Sequence, residues 1–599
     1  HHANQGGGPV AFETIPHLVL ANGSRLGSAP AYFTRGAGGW EATSWSGYAA
    51  EVRRAGAALI GLGVEPGQVV AILGANRPEW VIADVGAMAA GAVPAGIYAT
   101  SSPAECEYIL NHSEAPVAVV ENIAQWQKIE AVRHELPHLR HVVLMGGAPA
   151  VDDPLVLSWD GFLARGDGGG SALDDRLAEL QPSAVGTFIY TSGTTGRPKA
   201  VMLTHDNMTW TAAQACDLAG GSQTDRLVSY LPLSHVAEQM FTIHIAAVAG
   251  YPVYYAESID KLNENLVEVQ PTLFFGVPRV WEKFHAGVVE KLAENHGLKA
   301  KLIEEATAVG RRVVGQRAEG RSPSVVDAAR FALFDKLVYS KVKAGLGLGR
   351  ARLCVSGAAP VSVEVLEFFA GFGVPVYEVY GQSEDCGPTS FNVPGRTRFG
   401  TVGPAFPGVE VKIGGDGEIL VRGRNVFAGY FKDPEATAET LADGWLHTGD
   451  LGEFDAAGYL SITGRKKDII ITAGGKNVAP SLLEGGLRNH PLVSEAVVIG
   501  DRRKFLSVLV TLDAESLARY ARDHGLADRP EESVELRGEI QRAIDDVNQH
   551  LARVEQIKKF TILPRELSMA EGELTPTLKV KRNVVTAHFE AEIEAMYTD

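Results

Sequence analysis

Thr191-Ser192-Gly193-Thr194-Thr195-Gly196-Arg197-Pro198-Lys199 follows directly on the apolar run Thr187-Phe188-Ile189-Tyr190. The apolar run predicts a buried strand. The nine residues after it hold four hydroxyls, two glycines and a lysine. Such a loop can wrap phosphate oxygens with its hydroxyls and amides while Lys199 adds positive charge. A polar surface turn is the competing reading. A Walker A loop is not, because Gly193 to Lys199 followed by Ala200 does not give G-x-x-x-x-G-K-[ST]. Nor does a G-x-G-x-x-G follow a strand in the first hundred residues.

Outward from this loop the chain alternates short β-branched runs with Ala-rich stretches. Val69–Leu73 reads as a buried strand, Pro78–Ala90 as a helix, and Val117–Glu121 and His141–Met145 repeat the strand signal. Strand, turn, helix and turn in succession predict a doubly wound α/β sheet. Gly166–Gly170 reads as a surface loop, and Met240–Tyr255 as a buried helix and strand. Residues 282–345 are rich in Lys, Glu, Ala and Arg at helical spacing, broken near Gly320-Arg321-Ser322-Pro323, and predict a helical insertion. Strands return at Leu353–Val355 and Val374–Tyr380, and alternating Val/Ile and Gly from about 402 to 432 predict a small β-rich unit. The boundary falls near Arg465–Asp468, giving a large α/β domain over 9–465 and a small α+β domain over 466–599. His1-His2 with Gly6-Gly7-Gly8 reads as a tag remnant or loose tail over 1–8.

Composition sets the class. A chain of 599 residues is too long for one core. Its 55 Lys and Arg against 72 Asp and Glu give a net charge of −17, unsuited to wrapping nucleic acid. Four scattered cysteines without a C-x-x-C pair argue against a disulfide framework or zinc site and for a reducing, cytoplasmic setting. There is no run of about 18 apolar residues to span a bilayer. No amphipathic basic helix stands out in the sequence, although peripheral membrane contact remains compatible with it.

The 191–199 loop resembles the signature of the adenylate-forming superfamily, which holds acyl-CoA synthetases, peptide-synthetase adenylation domains and luciferases. The resemblance continues in order over nearly the whole chain. It is strongest to the long-chain fatty acyl-CoA synthetases, near the bubblegum type. It implies a reaction in two steps: ATP and a fatty acid give an acyl-adenylate, which passes to coenzyme A. ATP, Mg²⁺ and CoA are the implied cofactor and cosubstrates.

By this resemblance Thr191, Ser192, Gly193, Thr194, Thr195, Gly196 and Lys199 hold phosphate. Gly357, Ala358 and Ala359 in Val355-Ser356-Gly357-Ala358-Ala359-Pro360 wall the adenine. In Tyr380-Gly381-Gln382-Ser383-Glu384, Tyr380 stacks on adenine, Gly381 makes the turn, Ser383 reaches the α-phosphate and Glu384 holds Mg²⁺. Asp450 binds ribose, and Arg465 binds ribose and phosphate. Lys467 is the implied hinge, and Gly474-Gly475-Lys476 the implied CoA contact. In Leu574-Thr575-Pro576-Thr577-Leu578-Lys579-Val580-Lys581 the implied adenylation lysine is Lys579, with Lys581 close by. Many members have Ser-Gly before that lysine, where this chain has Thr577-Leu578.

His235 in Leu231-Pro232-Leu233-Ser234-His235 is the implied acid-pocket residue, or else a helix-capping or core histidine. Trp281 is either a gate of the fatty-acid tunnel or core. Two other enzyme readings keep the adenylation half: loading of an acyl carrier protein, or a luciferase-like oxidation. A non-catalytic nucleotide- or acyl-binding protein is the reading from another class. Thr191, Glu384, Asp450, Arg465 and Lys579 are all present, which argues against that last reading.

Overall fold

The computed structural model describes residues 14–191, 197–526, 530–549 and 551–598. The expected tail over 1–8 lies outside them.

Two eight-stranded sheets form the large domain. In the first the order is Ser390–Phe391, Val376–Tyr380, Leu353–Ser356, Leu273–Gly276, Leu227–Ser229, Val253–Tyr255, Pro30–Gly36 and Gly39–Ser44. Its six inner strands run parallel, and each edge strand is antiparallel to its neighbour. In the second the order is Gly429–Tyr430, Lys199–Thr204, Val185–Thr191, Val93–Ile97, Val69–Leu73, Val117–Val120, His141–Leu144 and Val156–Ser158. Every residue of Val69–Leu73 is buried, as an all-β-branched-and-apolar run covered on both faces requires.

The helix Pro78–Ala89 opens with Pro in its first turn, where the missing N–H costs nothing. It buries ten of its twelve residues, since its sequence beyond Glu79 is apolar on every side except at Asp84. The apolar stretch Met240–Tyr255 forms a π-helical turn over Met240–His244, a helix over Ile245–Ala249 and a strand over Val253–Tyr255.

The helical insertion starts earlier than its composition suggests, at Pro278. It runs through helices Pro278–Ala293, Leu298–Ala318, Val325–Phe334 and Ser340–Gly345. The β-rich unit reaches further than 402–432. It is a four-stranded antiparallel sheet ordered Glu410–Ile413, Glu418–Arg422, Leu446–Phe454, Leu460–Arg465, while Gly429–Tyr430 leaves it to edge the second large sheet. Leu460–Arg465 falls where Gly458–Gly464 reads as a strand and turn, whereas Leu446–Phe454 carries more polar and glycine residues than an apolar run would, which hides its strand period.

Beyond Arg465 come a two-stranded hairpin, Ile470–Ile471 with Asn477–Val478, and a three-stranded sheet, Val493–Ile499, Leu506–Leu512 and Ile557–Ile562. This C-terminal part has cores of its own on both faces of that sheet.

Candidate active site

The site is built at the carboxyl ends of parallel strands in the first sheet, the position at which open α/β sheets bind ligands. Leu353–Ser356 and Val376–Tyr380 are neighbours there. A Cβ at Gly357 would lie 2.7 Å from Val379 Cγ1, so only glycine lets the two strand ends approach. Ala358, next in line, takes φ +72°, a conformation uncommon for a residue with a side chain. A Cβ at Gly381 would fall 1.3 Å from the Gly387 carbonyl oxygen. The chain can therefore double back into the short turn Ser383–Asp385 only with glycine at this place, and that turn presents Glu384.

The four-stranded sheet delivers two more groups. Asp450 and Arg465 face each other in the register of strands Leu446–Phe454 and Leu460–Arg465. Arg465 Nε donates to Asp450 Oδ1 at 2.9 Å, and Tyr380 donates its hydroxyl to Asp450 Oδ2 at 2.7 Å. Asp450 is buried and so keeps both bonds in a poorly screened setting.

Tyr430, on the edge strand of the other large sheet, donates to Glu384 Oε1 at 2.7 Å. Burial raises the Glu384 carboxyl, the Tyr430 bond and Arg465 lower it, and Asp450 raises it.

Lys579 enters from the C-terminal part. Its turn is closed by Thr575 N–H to the Lys579 carbonyl at 2.8 Å and Lys579 N–H to Thr575 Oγ1 at 3.0 Å. Leu578 sits in it at φ +60°. The half-buried Lys579 ammonium interacts with Arg465, Asp450 and Glu384, and burial and Arg465 push its pKa down to about 8 against the pull of the two carboxylates. Lys581 donates its backbone N–H to the Glu573 carbonyl at 2.7 Å. Of the two lysines, Lys579 has Asp450 and Glu384 among its electrostatic neighbours.

His235 caps the helix Val236–Gln239, accepting the Ala237 N–H on Nδ1 at 3.2 Å. An accepting Nδ1 leaves the proton on Nε2 and keeps the ring neutral. Burial, aided by Lys579, agrees, holding the pKa at about 4. His235 is thus a helix cap, and it lies close enough to Lys579 to feel its charge.

Sequence reasoning passed over what secures this turn. Asn76 spans to it from the second sheet, donating to the Leu231 carbonyl at 2.6 Å and accepting from Leu233 N–H at 3.1 Å. Glu238 lies beneath, taking hydroxyl bonds from Ser229 at 2.6 Å and Thr242 at 2.8 Å. Asn76 stands in Gly74-Ala75-Asn76, which reads only as a turn after a strand, and Tyr430 lies in a stretch legible only as β-rich.

The remaining predicted residues lie as follows. Thr191 ends its strand with Oγ1 on the Lys199 carbonyl at 3.4 Å. Lys199 Nζ lies 3.5 Å from Asp433 and 4.9 Å from the Tyr430 ring centroid, so it borders the Glu384 pair. Ser192, Gly193, Thr194, Thr195 and Gly196 lie outside the described residues. Ser383 is buried in the turn before Glu384. Ala359 is exposed at the end of its turn.

Lys467 is exposed, just past Lys466, whose Nζ is tied to Asp416 at 2.6 Å and Glu418 at 3.0 Å. Gly474, Gly475 and Lys476 form an exposed hairpin tip, and Lys476 pairs with Glu555 at 3.1 Å rather than with the Lys579 cluster. Trp281 is fully buried among Phe274, Phe284 and Phe369, its indole N–H on the Gly276 and Val355 carbonyls at 3.2 and 3.3 Å. That is the placement of a core residue.

Two residues before Trp281, Arg279 donates to the Ser494 carbonyl at 3.1 Å, to Ser494 Oγ at 3.0 Å and to Glu495 Oε1 at 3.1 Å. It fastens the C-terminal part to the large domain in the orientation that brings Lys579 in.

Among the described residues no group of three or more His, Cys, Asp and Glu could cage a metal ion. A single carboxylate such as Glu384 suits Mg²⁺ that is bound chiefly through substrate phosphates and water.

The chain matches the AMP-binding enzyme family over residues 21–431 and the AMP-binding enzyme C-terminal domain over 467–599. It is 37% identical to the long-chain-fatty-acid–CoA ligase ACSBG2 of Xenopus laevis, over 98% of this chain and 84% of that protein. It is 39% identical to the long-chain-fatty-acid–CoA ligase FadD15 of Mycobacterium bovis, over 94% of this chain and 93% of that one. In fold it resembles the A domain of carboxylic acid reductase from Segniliparus rugosus, with a TM-score of 0.75 and 19% identity, over 98% of this chain and 94% of that one.

Proposed function

The chain belongs to the AMP-binding enzyme family, and from that premise we propose that it activates a long-chain fatty acid as its acyl-adenylate and transfers the acyl group to coenzyme A. The observation that carries the reading is the convergence of Lys579, Arg465, Asp450 and Glu384 from two domains on the ends of the first sheet. The substrate class rests on the named relatives, whose likeness runs through nearly the whole chain.

In the first step a fatty carboxylate oxygen bonds to the α-phosphorus of ATP and the bond to the bridging oxygen breaks, releasing pyrophosphate. Both reactants are anionic, so the enzyme's work is charge neutralisation and alignment. Lys579 and Arg465 supply the cationic side of that field. Glu384 would hold Mg²⁺, which when bound neutralises phosphate charge. The Gly357–Ala359 turn gives a flat wall without side-chain bulk for adenine, and Tyr380 closes it. Asp450 has two acceptor sites on each oxygen, so it can take ribose hydroxyls while keeping Tyr380 and Arg465. Thr191 and Lys199, with the loop between them, hold phosphate oxygens. His235, neutral and fixed through Nδ1, offers Nε2–H toward the acid beside Lys579.

In the second step the CoA sulfur bonds to the acyl carbon, the anhydride C–O bond breaks and AMP leaves. A site closed by the C-terminal domain protects the adenylate from water in between. The domain then pivots at Lys467, the exposed position after the last residue anchored to the four-stranded sheet, and exchanges Lys579 for the Gly474–Lys476 tip. Trp281 is assigned no part in the acid tunnel. Four free, buried cysteines support a reducing, cytoplasmic setting. Among the described residues no helix is long and apolar enough to cross a membrane.

A mass-spectrometric product assay with ATP, Mg²⁺ and acids from short to very long chain, with and without CoA, tests the proposal. Acyl-CoA and AMP peaking at long chains support it. Acyl-adenylate that accumulates regardless of CoA removes the thiol acceptor and points to a carrier protein instead.

A further inference from the structure

The helical insertion exposes apolar side chains that a helix hairpin normally buries. Leu298 and Val325 are each 87% exposed, Val326 67% and Leu333 55%, with Leu337 and Leu302 also open to solvent. On Leu298–Ala318, residues 298, 302, 305 and 312 share one side of the helix, and on Val325–Phe334 residues 326, 330 and 333 do, with Leu337 following in the π-helical turn Asp335–Tyr339. The ion pairs Arg330–Glu305 and Arg312–Asp327 join the two helices antiparallel and fix their register. Leu298 and Leu302 therefore come alongside Leu333 and Leu337, and the four make one apolar ridge.

Basic residues outnumber acidic ones around that ridge. Residues 298–345 hold ten Lys and Arg against five Asp and Glu, in a chain whose net charge is −17. Four of the five acids are already engaged: Asp327 with Arg312, Glu305 with Arg330, Glu319 with Arg321 and Asp335 with Lys343. Lys299, Lys301, Lys336 and Lys341 are exposed beside the leucines. Apolar side chains that can enter the acyl boundary, flanked by lysines at headgroup level, match an anionic bilayer surface. A second copy of this chain, with a net charge of −17, would bring its own basic hairpin against this one.

We propose that the hairpin 298–341 docks this protein on anionic phospholipid membranes, with Leu298, Leu302, Leu333 and Leu337 inserted and Lys299, Lys301, Lys336 and Lys341 on the headgroups. The surface lies outside the candidate active site, and its occupancy is read without turnover, so the proposal stands or falls apart from the ligase reading.

The test is flotation of the full chain with large unilamellar vesicles of phosphatidylcholine alone or with 30% phosphatidylglycerol, in about 0.1 M salt. The wild type is expected to float with the anionic vesicles and to stay behind with the neutral ones. Leu333→Ser/Leu337→Ser and Lys336→Glu/Lys341→Glu are each expected to lower the bound fraction roughly tenfold or more, because every basic residue near the surface and every buried methylene counts. Circular dichroism and ligation of a soluble acid without vesicles should match wild type in both. Equal binding to neutral and anionic vesicles overturns the proposal, as does binding that survives both double substitutions. Absence of vesicle binding together with concentration-dependent dimerisation that the leucine variant abolishes overturns it in favour of self-association.

Discussion

Tyr430 donates its hydroxyl to Glu384 Oε1 at 2.7 Å, and so joins the edge strand of one large sheet to the site at the end of the other. The bond does two things. It holds the half-buried Glu384 side chain in place, and it favours the ionised carboxylate against burial. Tyr430→Phe removes the donor and little else. Hydrogen bonds to charged groups contribute about 1.5–3 kcal/mol. Acid-dependent pyrophosphate exchange should therefore fall by roughly tenfold or more, while transfer from supplied acyl-adenylate to CoA changes much less. Equal loss in both half-reactions would mean that Tyr430 only supports the fold.

Lys579 gives a pH signature. Its pKa is pushed down to about 8, and the proposed role needs the charged form. As pH rises through that value the free enzyme loses the cation, so kcat/KM for adenylation should decline above about pH 8, the value of the unliganded group. Lys579→Arg should carry residual activity with no such decline, since a guanidinium stays charged. Lys579→Ala should cripple adenylation and spare transfer from supplied acyl-adenylate. A wild-type decline that persists in Lys579→Arg would assign the titration to another group.

Much of this was legible in the sequence, and the reason is local. Glycines at 357 and 381 and the acid at 384 stand just past strand ends, where an apolar run breaks into a small-residue turn, whereas Asp450 lies inside the strand Leu446–Phe454. Each such break can be read from a dozen residues. Partners brought by topology could not be read this way. Nothing near Tyr430 points to Glu384, 46 residues away, and Asn76 meets Leu231 and Leu233 only because the fold brings the turn after Val69–Leu73 beside the turn after Leu227–Ser229. Gly458–Gly464 reads as a strand and turn and overlaps the strand Leu460–Arg465, but Leu446–Phe454 is legible only as a motif, since its residues are chosen for the site as much as for the pleat.

Arg279 tests how the two domains are held. It makes three polar contacts to Ser494 and Glu495, and Glu495 is also bonded by Arg488 at 3.3 Å. Arg279→Ala leaves the Glu495 carboxylate paired, so the C-terminal fold should survive, but the orientation that presents Lys579 is weakened. Pyrophosphate exchange should fall roughly tenfold on the scale of a lost charged hydrogen bond, with thioester formation from supplied adenylate unchanged or faster. A slower second half-reaction would show that the contact serves both orientations.

Asp84 bears on stability rather than catalysis. It is buried on the helix Pro78–Ala89, and neither carboxyl oxygen has a hydrogen-bond partner among the described residues. Burial raises its pKa to about 8. The folded state then holds a proton that the unfolded chain releases near pH 4, so stability drains away as pH rises from about 4 to 8, at most by about 1.4 kcal/mol per pH unit. Asp84→Asn has no proton to lose. Its Tm should exceed that of wild type by a margin that widens between pH 5 and pH 8, and a constant margin would show that Asp84 is ionised in the fold.

Leu578 precedes Lys579 at φ +60°, in the turn that Thr575 closes. A left-handed conformation costs a residue with a Cβ about 1–2 kcal/mol, and glycine is free of that cost. Glycine loses about 0.5–1 kcal/mol of chain entropy on folding, so the two effects partly offset. Leu578→Gly should accordingly leave the C-terminal domain as stable as before or up to about 1.5 kcal/mol more so, the opposite of the usual effect of placing glycine in a folded segment. Leu578→Val should destabilise it, because a β-branched side chain fits the left-handed region worst. Chemical denaturation of the two variants separates these outcomes. A glycine variant clearly less stable than wild type would mean that the partly exposed leucine side chain stabilises the turn by more than its backbone strain costs.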